Sequence, residues 1–142
     1  MLNLDTNIVI AFVTSTLRRD EVRAMHDDPA WGISAIVFWE IAELSRSGKV
    51  RIGLDNADFL ELLDRLHVWP LSLDVARTVL RLDFEADPAD EIIAATSLVH
   101  RAPLLTRDSA CSPPRWFPWP SSSALPGTRR GSLVIGCHST LT

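Results

Sequence analysis

Apolar residues along this chain gather in short runs, separated by longer stretches in which they recur every three to four positions. Residues 2–4 (Leu-Asn-Leu) read as a short buried strand ending at Asp5, and the apolar stretch 7–13 opens a helix. A second helical stretch at 18–27 stops near Pro29, and Trp31, Gly32, Ile33 and Ser34 read as the second strand. Residues 36–47 read as a helix, with Gly48 as a natural cap after it. Asp55 is placed to cap the next helix, where Phe59, Leu62, Leu63 and Leu66 form an i, i+3, i+4, i+7 stripe. Residues 68–71 are a third strand candidate, and Pro70 makes that strand a poor central one. Residues 73–84 read as helical with Ala76, Val79 and Leu80 inward. Asp87 and Pro88 start a helix to about residue 100, and 103–106 read as the fourth strand.

Strands alternating with helical stretches predict a three-layer α/β/α domain with a mainly parallel sheet of four to five strands. This domain is expected to span residues 1–108. The remainder, 109–142, is rich in proline, glycine and serine, and arginine is its only charged residue type. It shows no helical period and little strand alternation, so its composition reads as irregular. A shifted reading frame is the other explanation. Codons compatible with 109–120, read one base out of register, can spell a segment ending in Leu-Val-Pro-Leu-Ala, which would supply a fifth strand.

A chain of 142 residues suffices for one core, and its 46% hydrophobic and 23% charged residues are ordinary for a water-soluble globular protein. No stretch approaches the ~20 apolar residues of a membrane span. The beginning has no basic region ahead of an apolar run, so a signal peptide is not expected and a cytoplasmic location is. Cys111 and Cys137 form no motif, and His26, His67, His100 and His138 show no ligand spacing. The formal net charge of −4 does not by itself advertise nucleic-acid binding. Arg18, Arg19, Arg46, Lys49, Arg51 and Arg107 could form a basic rim, though solvated surface charge is their ordinary role.

Against this background the acids stand out. Asp5, Glu40, Asp90 and Asp108 each lie just past a strand or in the first turns of a helix. A parallel sheet gathers such positions at the carboxyl ends of its strands, where ligands bind. Crowded carboxylates repel unless a cation lies among them, and an all-oxygen donor set favours Mg²⁺ or Mn²⁺. Each acid also has an ordinary role. Asp5 suits a helix N-cap, and Asp108 suits a turn. Glu40 falls inside the apolar stripe of Val37, Ile41 and Leu44, where a carboxylate needs a partner, whereas Glu43 points to the flank. Asp87, Asp90 and Glu91 crowd one helix start, where acids favour the helix dipole. Asp90 shares a face with Ile93 and Ser97 and is preferred as the ligand there, leaving Asp87 as cap or peripheral ligand. Thr106 and Ser34 offer hydroxyls at the same edge.

The segments Leu-Asp-Thr-Asn (4–7), Ser34 with Trp39-Glu40-Ile41, Asp87-Pro-Ala-Asp90 leading into Ile92-Ile93-Ala94-Ala95-Thr96, and Leu104-Leu105-Thr106-Arg107-Asp108 together resemble PIN-domain ribonucleases. Within that group they resemble the VapC toxins of bacterial toxin–antitoxin pairs. The likeness runs from about residue 2 to 108, and it rests on the order and spacing of short motifs. It does not extend into the tail, since the family closes with a fifth strand soon after Thr-Arg-Asp. The resemblance implies a Mg²⁺- or Mn²⁺-dependent endoribonuclease that inhibits translation by cutting RNA, neutralised by a VapB-like antitoxin and forming a homodimer. It places Asp5, Glu40, Asp90 and Asp108 in the acidic quartet, and Thr6 or Asn7, Ser34 and Thr106 at supporting polar positions.

The expected chemistry is in-line attack of water on a phosphodiester. Asp5 and Asp90 are expected as direct ligands, Glu40 as a ligand or a group orienting water, and Asp108 as ligand to a second, weaker ion or as outer support. Two alternatives are another Mg²⁺-dependent phosphohydrolase and a catalytically impaired toxin remnant acting as a protein-binding partner. A dehalogenase-like phosphatase wants a second Asp two residues after the first, and this chain has Asn7 there.

Overall fold

The computed structural model describes residues 1–107, so Asp108 and every expectation for 109–142 lie outside the described residues. The described strands are β1 (Leu2–Leu4), β2 (Trp31–Ser34), β3 (Leu66–Trp69) and β4 (Leu104–Leu105). The helices are α1 (Thr6–Val13), α2 (Arg19–Asp27), α3 (Ile36–Arg46), α4 (Ala57–Leu63), α5 (Leu73–Val79) and α6 (Pro88–His100). The strands pair in the order β3-β2-β1-β4, all parallel, as the alternation of elements predicts. Helices flank the sheet in a three-layer α/β/α arrangement. Successive connections carry the chain from β1 to β2 to β3, and the next returns it past β1 to β4. The carboxyl end of β1 therefore lies where the strand order reverses, the usual ligand position of an open parallel sheet.

The pleat sorts side chains to the two faces. Leu2, Leu4 and Ile33 join a buried cluster with Ile8, Val9, Val37, Ile41, Phe59 and Leu62. Asn3 and Ser34 point the other way, toward α6. Gly32 pairs with Asn3 on one side and His67 on the other. A Cβ on Gly32 would lie 2.7 Å from the Trp69 ring and 2.9 Å from the His67 carbonyl oxygen. Glycine at 32 thus makes room for Trp69, whose ring stacks on His100 at the end of α6 with centroids 5.4 Å apart.

Three local expectations shift. α4 is capped by Asn56, whose side chain accepts from the Phe59 N–H at 3.0 Å, rather than by Asp55. The stripe of that helix ends at Leu63, and Leu66 begins β3, which leaves Pro70 just beyond the ladder of an edge strand. α5 is shorter than the apolar pattern suggests: Ser72 caps it, Val75 is its buried residue, Ala76 is exposed and Leu80 is 86% exposed. Packing against α6 sets the phase of this helix, and the apolar count along 73–84 does not reveal it.

Candidate metal centre

Asp5 follows the last residue of β1 and is the N-cap of α1. Its backbone N–H donates to the Leu105 carbonyl on β4, so two strands hold it in place. Its side chain is buried, yet both oxygens have donors. Oδ1 accepts from the Thr6 N–H at 2.7 Å, and Oδ2 accepts from Thr106 Oγ1 at 2.6 Å. The cap and ligand readings of Asp5 are therefore compatible. The capping bond uses one oxygen edge, and the carboxylate still presents an oxygen to its neighbours.

Glu40 comes from α3, between the fully buried Val37 and Ile41. It is half-buried and accepts a hydrogen bond from Thr6 Oγ1. Thr6 is thus the supporting residue of the Thr6–Asn7 pair, binding Asp5 through its backbone and Glu40 through its hydroxyl; Asn7 is exposed. Burial pushes the Glu40 carboxyl above the ordinary glutamate value, the Thr6 hydrogen bond opposes this, and the negative charge of Asp87 adds to the rise.

Asp90 lies in the first turn of α6. One carboxylate oxygen from each of Asp5, Glu40 and Asp90 falls in a single group whose members all lie within 4.8 Å of one another. Asp87 is at the N-cap position of α6, as read, but it is exposed and makes no side-chain capping bond. Glu91 takes part of that work by accepting from the Ala86 N–H at 3.1 Å. Thr106 supports the centre directly through Asp5. Ser34 supports it at a distance: it is fully buried and accepts from Thr96 Oγ1 at 3.0 Å, tying the middle of α6 to β2.

Convergent carboxylates with one member raised in pKa are the signature of a site that favours added positive charge. The donors are all oxygen, which fits a hard divalent cation such as Mg²⁺ or Mn²⁺ better than zinc.

Two buried polar groups went unmarked by the sequence pattern. Asn3, within the apolar run of β1, is fully buried and bonds α6. Glu21, on a largely polar helix, is buried and pairs with Arg107 through both oxygens at 2.7 Å. Arg107 also donates to the Thr16 carbonyl at 3.1 Å, so it is a tie between β4 and α2 and not a free member of a basic rim. Arg46 is likewise engaged, with Glu43 at 2.6 Å. The Asn within a Leu-Asn-Leu strand was the one visible signal for the first of these groups.

A family model described as PIN domain matches residues 3–112. Among solved structures, the chain is similar to a toxin–antitoxin complex from Klebsiella pneumoniae, with 26% identity over 77% of this chain and 88% of that one and a TM-score of 0.58. It shares its fold with VapBC2 from Rickettsia felis bound to a promoter DNA fragment (20% identity, 76% and 89% covered, TM-score 0.58). The same holds for FitAcB from Neisseria gonorrhoeae (24% identity, 78% and 90% covered, TM-score 0.52). No curated protein sequence matches significantly. With the family match spanning most of the chain, and the carboxylate cluster lying at the sheet edge where the motif likeness placed it, this chain belongs to the PIN domain family.

Proposed function

We propose that the protein is a metal-dependent endoribonuclease, the toxin of a toxin–antitoxin pair, hydrolysing RNA phosphodiester bonds and so inhibiting translation. The observation that carries this reading is the grouping of Asp5, Glu40 and Asp90 within 4.8 Å at the carboxyl edge of a parallel sheet. Mg²⁺ or Mn²⁺ held by these residues would supply a Lewis acid that activates water and offsets charge on the phosphate. Asp5 is fixed for this by two donors, one from α1 and one from the segment after β4. Asp90 faces it from the start of α6, and Glu40 completes the group from α3. Glu40, braced by the Thr6 hydroxyl, would ligate the ion or orient the attacking water. Asp108, next but one after Thr106, is assigned a fourth acidic position by its motif alone.

The partners in this reading are RNA as substrate, a VapB-like antitoxin, and a second copy of the chain. The antitoxin is supported by the likeness to the toxin–antitoxin complex from Klebsiella pneumoniae. Among the described residues no helix is long and apolar enough to cross a membrane.

Incubating the purified protein with cellular RNA, with Mn²⁺ and again with EDTA, tests the reading. Discrete fragments in Mn²⁺ alone, absent with Asp90→Asn, are the expected result. Intact RNA under both conditions, from a protein that binds Mn²⁺, would favour the non-cleaving binding partner instead.

A further inference from the structure

The metal centre depends on two elements meeting in one register. β1 delivers Asp5, and α6 delivers Asp90. The apolar contacts of α6 come largely from Ala89, Ile93, Ala94, Ala95 and Leu98. Three of these five are alanines, and apolar burial is itself non-directional, so directional bonds add to what sets the helix along the sheet.

One residue on β1 supplies such bonds. Asn3 is fully buried, and its Nδ2 donates to Ser97 Oγ at 2.7 Å and to the Ile93 carbonyl at 3.2 Å. Both acceptors lie on the face of α6 that carries Asp90, one and two turns further along. On the strand side, Asn3 lies two residues before Asp5. The same pair of elements therefore carries the clamp and two of the carboxylates.

A second observation shows that this amide is poorly explained by stability. Asn3 Oδ1 is buried with no hydrogen-bond partner among the described residues. Flipping the amide does not help, because it would turn the oxygen toward a carbonyl. A leucine at this position would match its neighbours Leu2 and Leu4 and remove the orphaned Oδ1, leaving the Ser97 hydroxyl to turn to a carbonyl of its own helix. An amide that leaves an acceptor unsatisfied, yet supplies directional bonds between the two elements of the site, is placed for register.

We infer that Asn3 is a positioning residue for the metal centre: its side-chain amide sets the axial position of α6 against β1 and thereby brings Asp90 to Asp5. The inference rests on the metal-centre reading proposed above. Ser97 is its partner, and the Thr96–Ser34 bond is a parallel tie to the next strand.

The test compares wild type, Asn3→Leu, Ser97→Ala and the double variant by Mn²⁺ titration calorimetry, thermal unfolding and RNA cleavage kinetics. Asn3→Leu is expected to melt no lower than wild type in the absence of metal. Its Mn²⁺ affinity is expected to fall on the order of tenfold, as for other groups that orient ligands without touching the metal. Its kcat is expected to fall with KM for RNA nearly unchanged. Ser97→Ala should weaken Mn²⁺ by a smaller factor, and the double variant should be no worse than Asn3→Leu alone. Wild-type Mn²⁺ affinity in a folded Asn3→Leu protein overturns the positioning role and leaves the metal centre standing. Should Asn3→Leu fail to fold, unchanged affinity in Ser97→Ala overturns it equally. A wild-type protein that binds no Mn²⁺ removes the metal-centre reading first, and the role of Asn3 with it.

Discussion

At the scale of single residues, position and partner decide what an ionisable group does here. Asp5 and Glu21 are both buried acids, yet they work in opposite ways. Glu21 is satisfied: burial raises its pKa, but the Arg107 hydrogen bonds and charge and the Arg18 N–H outweigh that and hold it below the ordinary value. A lowered acid pKa contributes stability above the unfolded value and loses it as pH falls through the folded one. Arg107→Ala leaves Glu21 buried without its cation, so a loss of about 3 kcal/mol is expected. Glu21→Gln leaves an arginine that can turn to water, and about half that loss is expected. Urea unfolding at pH 7 measures both, and at pH 3 the gap between wild type and Glu21→Gln should narrow. Asp5 has hydrogen-bond donors but also acidic neighbours. Asp5→Asn keeps the Thr6 N–H on its amide oxygen, and its NH2 can donate to the Thr106 hydroxyl once that hydroxyl turns, so the fold should survive with stability equal to or above wild type. Mn²⁺ binding and RNA cleavage should fall by about 100-fold or more, since a ligand charge is gone. Retention of cleavage by Asp5→Asn would contradict its assignment as a ligand.

At the scale of elements, most boundaries were legible because short strands and amphipathic helices differ in period. β2 was read in full, and α1, α2, α3 and α6 within a residue or so of their ends. The misreadings at Leu66 and Leu80 share one cause. Leu66 fits the stripe of α4 and the run of β3 equally well, and the strand wins by pairing with Trp31. Leu80 continues an apolar period but stays exposed among the described residues. Helical period states that a face exists, and only the neighbouring element decides which face it is. Gly32 shows the same dependence within a strand. It carries no turn, and its need appears only once Trp69 is laid over it. Gly32→Ala is expected to destabilise by about 2–3 kcal/mol, because both the ring and the His67 carbonyl would have to shift. Thermal unfolding against a Gly53→Ala control, where a Cβ meets nothing closer than 4.0 Å, isolates that clash from the general effect of removing glycine.

At the scale of the whole molecule, acids far apart in the chain converge at one edge and carry a cost without a cation. Glu40 shows such a cost directly: burial, with the nearby charge of Asp87, raises its carboxyl pKa. For an acid raised by folding, stability is fully present below the unfolded pKa and is lost as pH rises through the folded value. The metal-free protein is therefore penalised by this group toward neutral pH, where a bound divalent ion would offset the charge. Mn²⁺ at about 100 times its dissociation constant should add ~2.7 kcal/mol, a rise of about 10 °C in melting temperature for a domain of this size. The rise should be smaller at pH 5 than at pH 7.5, because protons compete for the same oxygens. Scanning calorimetry with Mn²⁺, and with EDTA as control, measures it. An equal shift at both pH values would show that the stabilising ion binds elsewhere.

The chain by itself determined the alternation of strands and helices, and with it the parallel sheet and the edge at which its acids collect. It could do so because period and strand-end position are local properties, written within a few residues. Tertiary structure alone decided that Thr6 and not Asn7 braces Glu40, that Ser34 acts through α6, that Arg107 is spent on Glu21, and that Asn3 reaches across to Ser97. Each of these is a hydrogen bond or ion pair between residues distant in sequence. Such bonds depend on distance and direction in space, which no local pattern of apolar and polar positions encodes.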